Sequence, residues 1–341
     1  MTLTKDLLRR LPKAELHVHL DGCLRPETMI ELAREQRVKL PAAAAAALRR
    51  YMLVDNVKNL EEYLERYFVT VAVMQTPRAL ERITYEFVQD VARENVRYVE
   101  VRYCPALHTP ALTLTQAVES PLEGIRRGSA ETGVRVRLII CGLRTLSPAV
   151  SEDLARLAAD YREAGVVAFD LAGAERGQPA KDHAGAFAYA AAHGLHCTCH
   201  AGEADGADSI RQALHACGAE RIGHGTRLLE DPEVEAYVRE RRIPLEMCLT
   251  SNLHSHAVAD LAKHPARRYF DAGCVVTFNT DGRLMDGVTL TDEYWVAHDR
   301  LGFTREEIDR VILNTFESAF LPDPEKRALV TSVQSELKEI R

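Results

Sequence analysis

The sequence predicts an α/β protein, a (β/α)8 TIM-type barrel with extra helices after its first strand and at its C-terminus. Three observations point there. Strand-like and helix-like runs alternate eight times along the 341 residues. The strand-like runs are apolar on both faces, as parallel strands covered by helices must be. Four histidines and an aspartate stand where such runs end, and in a (β/α)8 barrel the carboxyl ends of the strands are where chemistry gathers.

The strand candidates are 15–20, 97–103, 134–141, 166–171, 196–200, 221–223, 244–248 and 274–279. Amphipathic stretches separate them, for example 78–95 and 151–164. In the first, Leu80, Ile83, Tyr85, Phe87, Val88 and Val91 mark a mostly helical apolar stripe. No Gly-x-Gly-x-x-Gly turn follows the first strand, which counts against a dinucleotide-binding sheet. The length suits one large barrel, so residues 1–341 are read as a single domain.

Residues 21–96 are extra to a simple barrel and contain six consecutive alanines within 41–50, which predict a short helix or its lead-in. Beyond them, Leu60, Tyr63, Leu64 and Tyr67 have the i, i+3, i+4, i+7 spacing of one helix face. Spacing alone allows two readings: a helix packed on the barrel, or an apolar lid over a pocket at its mouth. From Leu290 onward the chain reads as terminal helices, broken near Pro322 and Pro324.

Composition narrows the function classes. A net charge of −7 with no basic run excludes a general nucleic-acid binder. The longest apolar stretches fall far short of the ~20 residues a membrane span needs. The N-terminus MTLTKDLLRRLPK is charged within its first dozen residues and has no apolar signal-peptide core. These features predict a cytoplasmic protein whose eight cysteines stay reduced. Cys141, Cys197, Cys199, Cys248 and Cys274 lie in or beside strands and read as small buried hydrophobes.

The strand-exit groups read as one zinc site. His17 and His19 lie two apart in ELHVHLDG, so both imidazoles leave the same face of a strand. His200 in HCTCHAGE, His224 in RIGHGT and Asp281 in VVTFNTDG follow later strands. A lone histidine is ordinarily packed or solvated, but five such groups at strand exits converge on one barrel mouth. Strand alternation turns Cys197 and Cys199 away from the face that carries His200.

These motifs together resemble the adenosine deaminase family, zinc hydrolases that convert the 6-amino group of a purine nucleoside to a 6-oxo group. The resemblance rests on KAELHVHLDG, TYEFVQDVARENVRYVEVRYCP, FDLAGAE, HAGE, RIGHGT, TSN, NTDG and the tail LGFT…SAFLPDPEK. It runs from about residue 12 to 330 in the family's order. It implies one Zn2+ per chain on His17, His19, His200 and Asp281. It makes Glu203 the acid that works on the purine ring and His224 the residue that works on the attacking water. It also gives Asp21 the ribose hydroxyl and Gly173 the purine edge. The pocket residues are then His19, Asp21, Gly173 and Gly282, with Leu60, Tyr63, Leu64 and Tyr67 above. The expected reaction takes adenosine or 2′-deoxyadenosine and water to inosine or 2′-deoxyinosine and ammonia, a purine-salvage step.

The chemistry asks for those residue types. Displacing an aryl amine at neutral pH needs a strong nucleophile, and zinc lowers the pKa of a bound water from ~15.7 to ~7. A protonated Glu203 gives a proton to N1, which makes C6 electrophilic. His224 and Asp281 can hold the water and take its proton. Taken alone, Glu203 reads as a loop or helix-start glutamate and Asp21 as turn chemistry before Gly22.

Rival readings fit less well. Cytidine-type zinc deaminases need His-x-Glu and Pro-Cys-x-x-Cys, which have no suitable counterpart here. Two-metal barrel hydrolases of the dihydroorotase or phosphotriesterase type carry a lysine at the end of strand four, where this chain reads FDLAG. A barrel that merely binds purines would not need the full ligand set with Glu203.

The chain departs from the family pattern at Gly282, where an acid or asparagine usually contacts the purine at N7. A water, Asp286 or a different substrate could fill the gap, the alternative being a 5′-modified adenosine of the aminofutalosine type. His254 and His256 in TSNLHSHAV also replace the usual threonine and glycine. They read either as pocket-rim residues or as surface residues.

Overall fold

The computed structural model describes residues 3–340. Eight parallel strands form one sheet in chain order: β1 (Lys13–His19), β2 (Val96–Tyr103), β3 (Arg135–Leu143), β4 (Val166–Ala172), β5 (His196–Ala201), β6 (Arg221–His224), β7 (Leu245–Met247) and β8 (Val276–Phe278). The ring closes where β1 meets the chain just past β8. His19 N–H donates to Asp281 O at 2.9 Å, and Asp281 N–H donates to His17 O at 3.1 Å. Below that point the Asn279 side chain replaces a backbone carbonyl, accepting from Leu16 N at 2.8 Å and His17 N at 3.1 Å. The predicted barrel is therefore the observed one.

The helices follow the sequence pattern. The stripe read over 78–95 forms the helix Pro77–Ala92, capped by Thr76 and buried through Leu80, Ile83, Phe87, Val88 and Val91. Of the alanine tract, only its second half opens a helix, Ala45–Met52. The segment after it forms Leu60–Val71, whose N-cap Asn59 accepts from Glu62 N at 2.9 Å. Three helices end the chain: Leu290–Leu301, Arg305–Glu317 and Asp323–Glu339. Among the described residues no helix is long and apolar enough to cross a membrane.

The barrel interior is ionic at its centre. Glu100, Arg221, Glu246, Arg102 and Asp170 form a chain of alternating charge, with links of 2.5, 2.6, 2.9 and 2.9 Å. All five are buried. An unpaired ion there would cost several kcal/mol, so each is held by partners of opposite sign.

Candidate active site

The end of β1 directs His17 and His19 into the barrel mouth, and the ends of β5 and β8 bring His200 and Asp281 to meet them. One ligand atom from each of the four lies within 4.8 Å of all the others. The Nε2 atoms of His19 and His200 are 3.0 Å apart, and Asp281 Oδ1 is 3.6 Å from His17 Nε2 and 3.4 Å from His19 Nε2.

Partners on the far side fix how these groups point. His17 Nδ1 lies 2.9 Å from Glu246 Oε2, and His200 Nδ1 lies 3.1 Å from Asp170 Oδ2. Each carboxylate accepts a hydrogen bond from Nδ1–H, so each ring presents a bare Nε2 lone pair to the cluster. His17 Nε2 is buried and has no hydrogen-bond partner. Ser251 Oγ donates to Asp281 Oδ2 at 2.6 Å and leaves Oδ1 facing the histidines. Lone pairs aimed at one point from three imidazoles and a carboxylate fit a divalent cation.

Electrostatics agree at His17 and His19, whereas at His200 burial lowers the pKa and the neighbouring Asp170 carboxylate more than offsets it. Burial, then Arg102 and His200, push His17 down to about 4, so it stays neutral and able to ligate. Burial likewise holds His19 well below its ordinary value. Burial opposes the charge on Asp170, but its contact with His200 and the Arg102 guanidinium hold the carboxyl well below its ordinary value. Two site residues hold left-handed backbone without being glycine, His224 at φ 64° and Asp281 at φ 60°. Such conformations cost on the order of 1–3 kcal/mol and persist where surroundings enforce them.

Glu203 stands on the turn after β5. Glu175 fixes that turn by accepting the backbone N–H groups of Gly202, Glu203, Ala204 and Asp205 at 2.6 to 3.0 Å. Gly202 turns there at φ 70°, and a Cβ would lie 2.5 Å from Ile210. Glu203 Oε2 is 3.5 Å from His224 Nε2. Burial raises the Glu203 carboxyl above its ordinary value; His224 opposes this and Asp281 adds to it. On its other side His224 Nδ1 faces Asn252 Nδ2 at 2.9 Å, and Asn252 Oδ1 faces His264 Nε2 at 3.1 Å.

His19, His200, Asp281, Glu203 and His224 line a cavity of about 430 Å³ with Asp21, Gly173, Leu60, Tyr63, Leu64 and Tyr67. The helix Leu60–Val71 thus lies over the mouth. Asp21, in the turn Leu20–Gly22, is pushed up to about 7 by burial, and its Oδ1 has no partner.

Gly282 requires a correction to the expectation of an empty place beside the ring. It does not line the cavity. A Cβ there would lie 2.8 Å from both the Tyr63 and the Tyr67 hydroxyl oxygens, so the phenols occupy the missing side chain's volume. Its φ of −106° is open to any residue, so space and not backbone conformation selects glycine. Asp286 is drawn away behind it, accepting from Tyr63 Oη at 2.8 Å with His254 Nδ1 at 2.8 Å. His256 Nε2 contacts Val57 O at 2.7 Å, and Cys197 and Cys199 take no part in the ligand cluster.

Sequence reasoning missed Asp170, Glu246, Glu175, Asn252 and Ser251, and also Cys248, whose sulfur approaches His224 and Asp281. A signal existed for the first two. Each is a single acid inside an apolar strand, FDLA and LEM, and such an acid needs a partner within the barrel.

A family model described as adenosine deaminase matches residues 12–336. A probable adenosine deaminase of Dictyostelium discoideum is 40% identical over 95% of this chain, which spans 42% of that longer protein. The adenosine deaminase of Mycobacterium marinum is 39% identical, with 97% of this chain and 96% of its own length covered. Among solved structures, an adenine deaminase from Arthrobacter aurescens gives a TM-score of 0.90 at 29% identity, covering 96% of this chain and 99% of that one. Arabidopsis ADAL complexed with IMP gives 0.88 at 27% identity, covering 98% and 100%.

Proposed function

The chain belongs to the adenosine deaminase family, and on that premise we propose that it hydrolyses adenosine and 2′-deoxyadenosine to inosine and 2′-deoxyinosine plus ammonia. One observation carries the reading: the His17–His19–His200–Asp281 cluster opens, through His19, His200 and Asp281, onto a cavity shared with a buried Glu203 and His224. The family is metal-dependent, and the four residues would hold one Zn2+ through three imidazole nitrogens and a carboxylate oxygen. Bound there, the ion supplies Lewis acidity that brings a water toward hydroxide near neutral pH.

The protein's own groups do the rest. Glu203, whose carboxyl burial raises above its ordinary value, gives a proton to N1 in this reading and weakens the aromaticity that protects C6. With Nδ1 turned to the Asn252 amide, a neutral His224 carries its proton on Nε2. It therefore orients the attacking oxygen as a donor, and Asp281 beside it takes the proton. Asp21 faces the ribose and Gly173 the purine edge, while Leu60, Tyr63, Leu64 and Tyr67 exclude water from above. The cavity suits a small nucleoside, and the free cysteines fit a single catalytic domain in the cytoplasm.

A second substrate reading rests on the cavity's outer wall. Phe68, Val71, Leu107, Leu143 and Leu146 make it apolar, which favours an adenosine whose 5′ end carries an apolar group. A deamination screen over adenine, adenosine, 2′-deoxyadenosine, 5′-modified adenosines and AMP, run beside metal analysis, tests both. Adenosine turnover with one metal per chain supports the first reading. Full activity without metal, or with two ions per chain, overturns it.

A further inference from the structure

Gly282 and the helix above it are complementary. The phenols of Tyr63 and Tyr67 both reach the volume where a side chain at 282 would begin, and both line the cavity. Their hydroxyls are not equivalent. Tyr63 is committed to Asp286, whereas the Tyr67 hydroxyl has no hydrogen-bond partner among the described residues. It lies between the two exits that close the barrel, against Gly22 after β1 and Gly282 after β8. Burial holds its proton in place, so it is a donor.

We propose that the Tyr67 hydroxyl is a specificity-determining group that donates to N7 of the substrate's purine ring. The inference rests on the nucleoside reading above. Carbon 6 of a purine has N1 on one side and, across the ring fusion, N7 on the other. Glu203 at the β5–β6 side takes the N1 edge. The N7 edge then faces the β8–β1 side, three strands further around the barrel, where Asp281 and Tyr67 stand. N7 is a bare acceptor, and an ionised Asp281 cannot donate to it. Tyr67 can, and it reaches from the roof what an asparagine at 282 would supply from the floor.

Adenosine and 7-deazaadenosine, which has C–H in place of N7, separate this role from mere packing. Wild type should prefer adenosine in kcat/KM by about three- to tenfold beyond Tyr67→Phe, the worth of one hydrogen bond. Tyr67→Phe should lower kcat/KM for adenosine about three- to tenfold more than it lowers kcat/KM for 7-deazaadenosine. Tyr63→Phe/Tyr67→Phe/Gly282→Asn, which clears the space and restores an amide donor, should regain the preference. Calorimetric binding of purine riboside and 7-deazapurine riboside gives the same ratio without chemistry. If Tyr67→Phe lowers both nucleosides equally, the hydroxyl is structural; the inference falls and the deaminase reading stands. If wild type neither binds nor turns over any purine nucleoside, the deaminase reading itself falls.

Discussion

Beneath the cavity, His17 and His200 are each held by a carboxylate that is itself held by Arg102. Above it, the helix Leu60–Val71 meets the site through two phenols that face a glycine, one of them without a partner. The floor is over-determined: moving one group leaves an ion or a lone pair stranded. The roof touches the floor through few polar contacts, chiefly Tyr63–Asp286, His256–Val57 O and Val54 N–Met285 O, where His256 follows the short helix Leu249–His254 and Val54 and Val57 precede the roof helix. On the proposed reading, reaction type is written into the strands and substrate choice into the helix above them.

Glu203→Gln is the sharpest way to break the floor. The amide keeps the size of the side chain but has no proton to give N1. Turnover should fall ~10²–10⁴-fold, with metal content and thermal stability close to wild type. A loss below tenfold would remove Glu203 from the chemistry.

Asp170→Asn probes the support below the ligands. The amide still accepts from His200 Nδ1 through its oxygen, but its NH2 must then face Arg102. Metal affinity, read by competition with a chelator, should weaken ~10–100-fold. Affinity equal to wild type would show that the Asp170–Arg102 pair has no part in aiming His200.

How much of each region was legible follows from the same division. The ligands could be read because a two-residue period and strand exits place His17, His19, His200 and Asp281 without knowledge of packing. Their supports could not, because whether Glu246 points at His17 depends on the register between strands far apart in sequence. Helical spacing at Leu60, Tyr63, Leu64 and Tyr67 announced a helix but not what it covers. That two of its phenols fill the space over Gly282 is a tertiary fact, and it reverses the meaning of the glycine. An acid or asparagine there would collide with the roof.

Gly282→Ala tests that fit with a single methyl group. Its Cβ would approach both hydroxyl oxygens at 2.8 Å, so the helix must move or the phenols must turn. Overpacking of this kind costs about 1–3 kcal/mol, to be read from denaturant unfolding. The same substitution in a Tyr63→Phe/Tyr67→Phe background should cost much less, since the obstructing oxygens are gone. An equal penalty in both backgrounds would place the strain elsewhere.

The smallest effect concerns the joint between roof and floor. Burial pushes the Asp286 carboxyl up from 3.8 to about 6, with His254 opposing and Asp281 adding to the rise. Folded protein thus holds this proton more tightly than unfolded chain does. The stabilisation is fully present below about 4 and is lost as pH rises through about 6. Asp286→Asn removes the titration but keeps an oxygen for Tyr63 and an N–H for His254 Nδ1. Stability measured for both proteins between these pH values should show the wild type losing ground to the variant as pH rises. Groups common to both, the ligand histidines included, cancel in that difference. A difference that stays flat across the window would mean that Asp286 ionises as freely as in water, and the contact joining roof to floor would then carry no pH dependence.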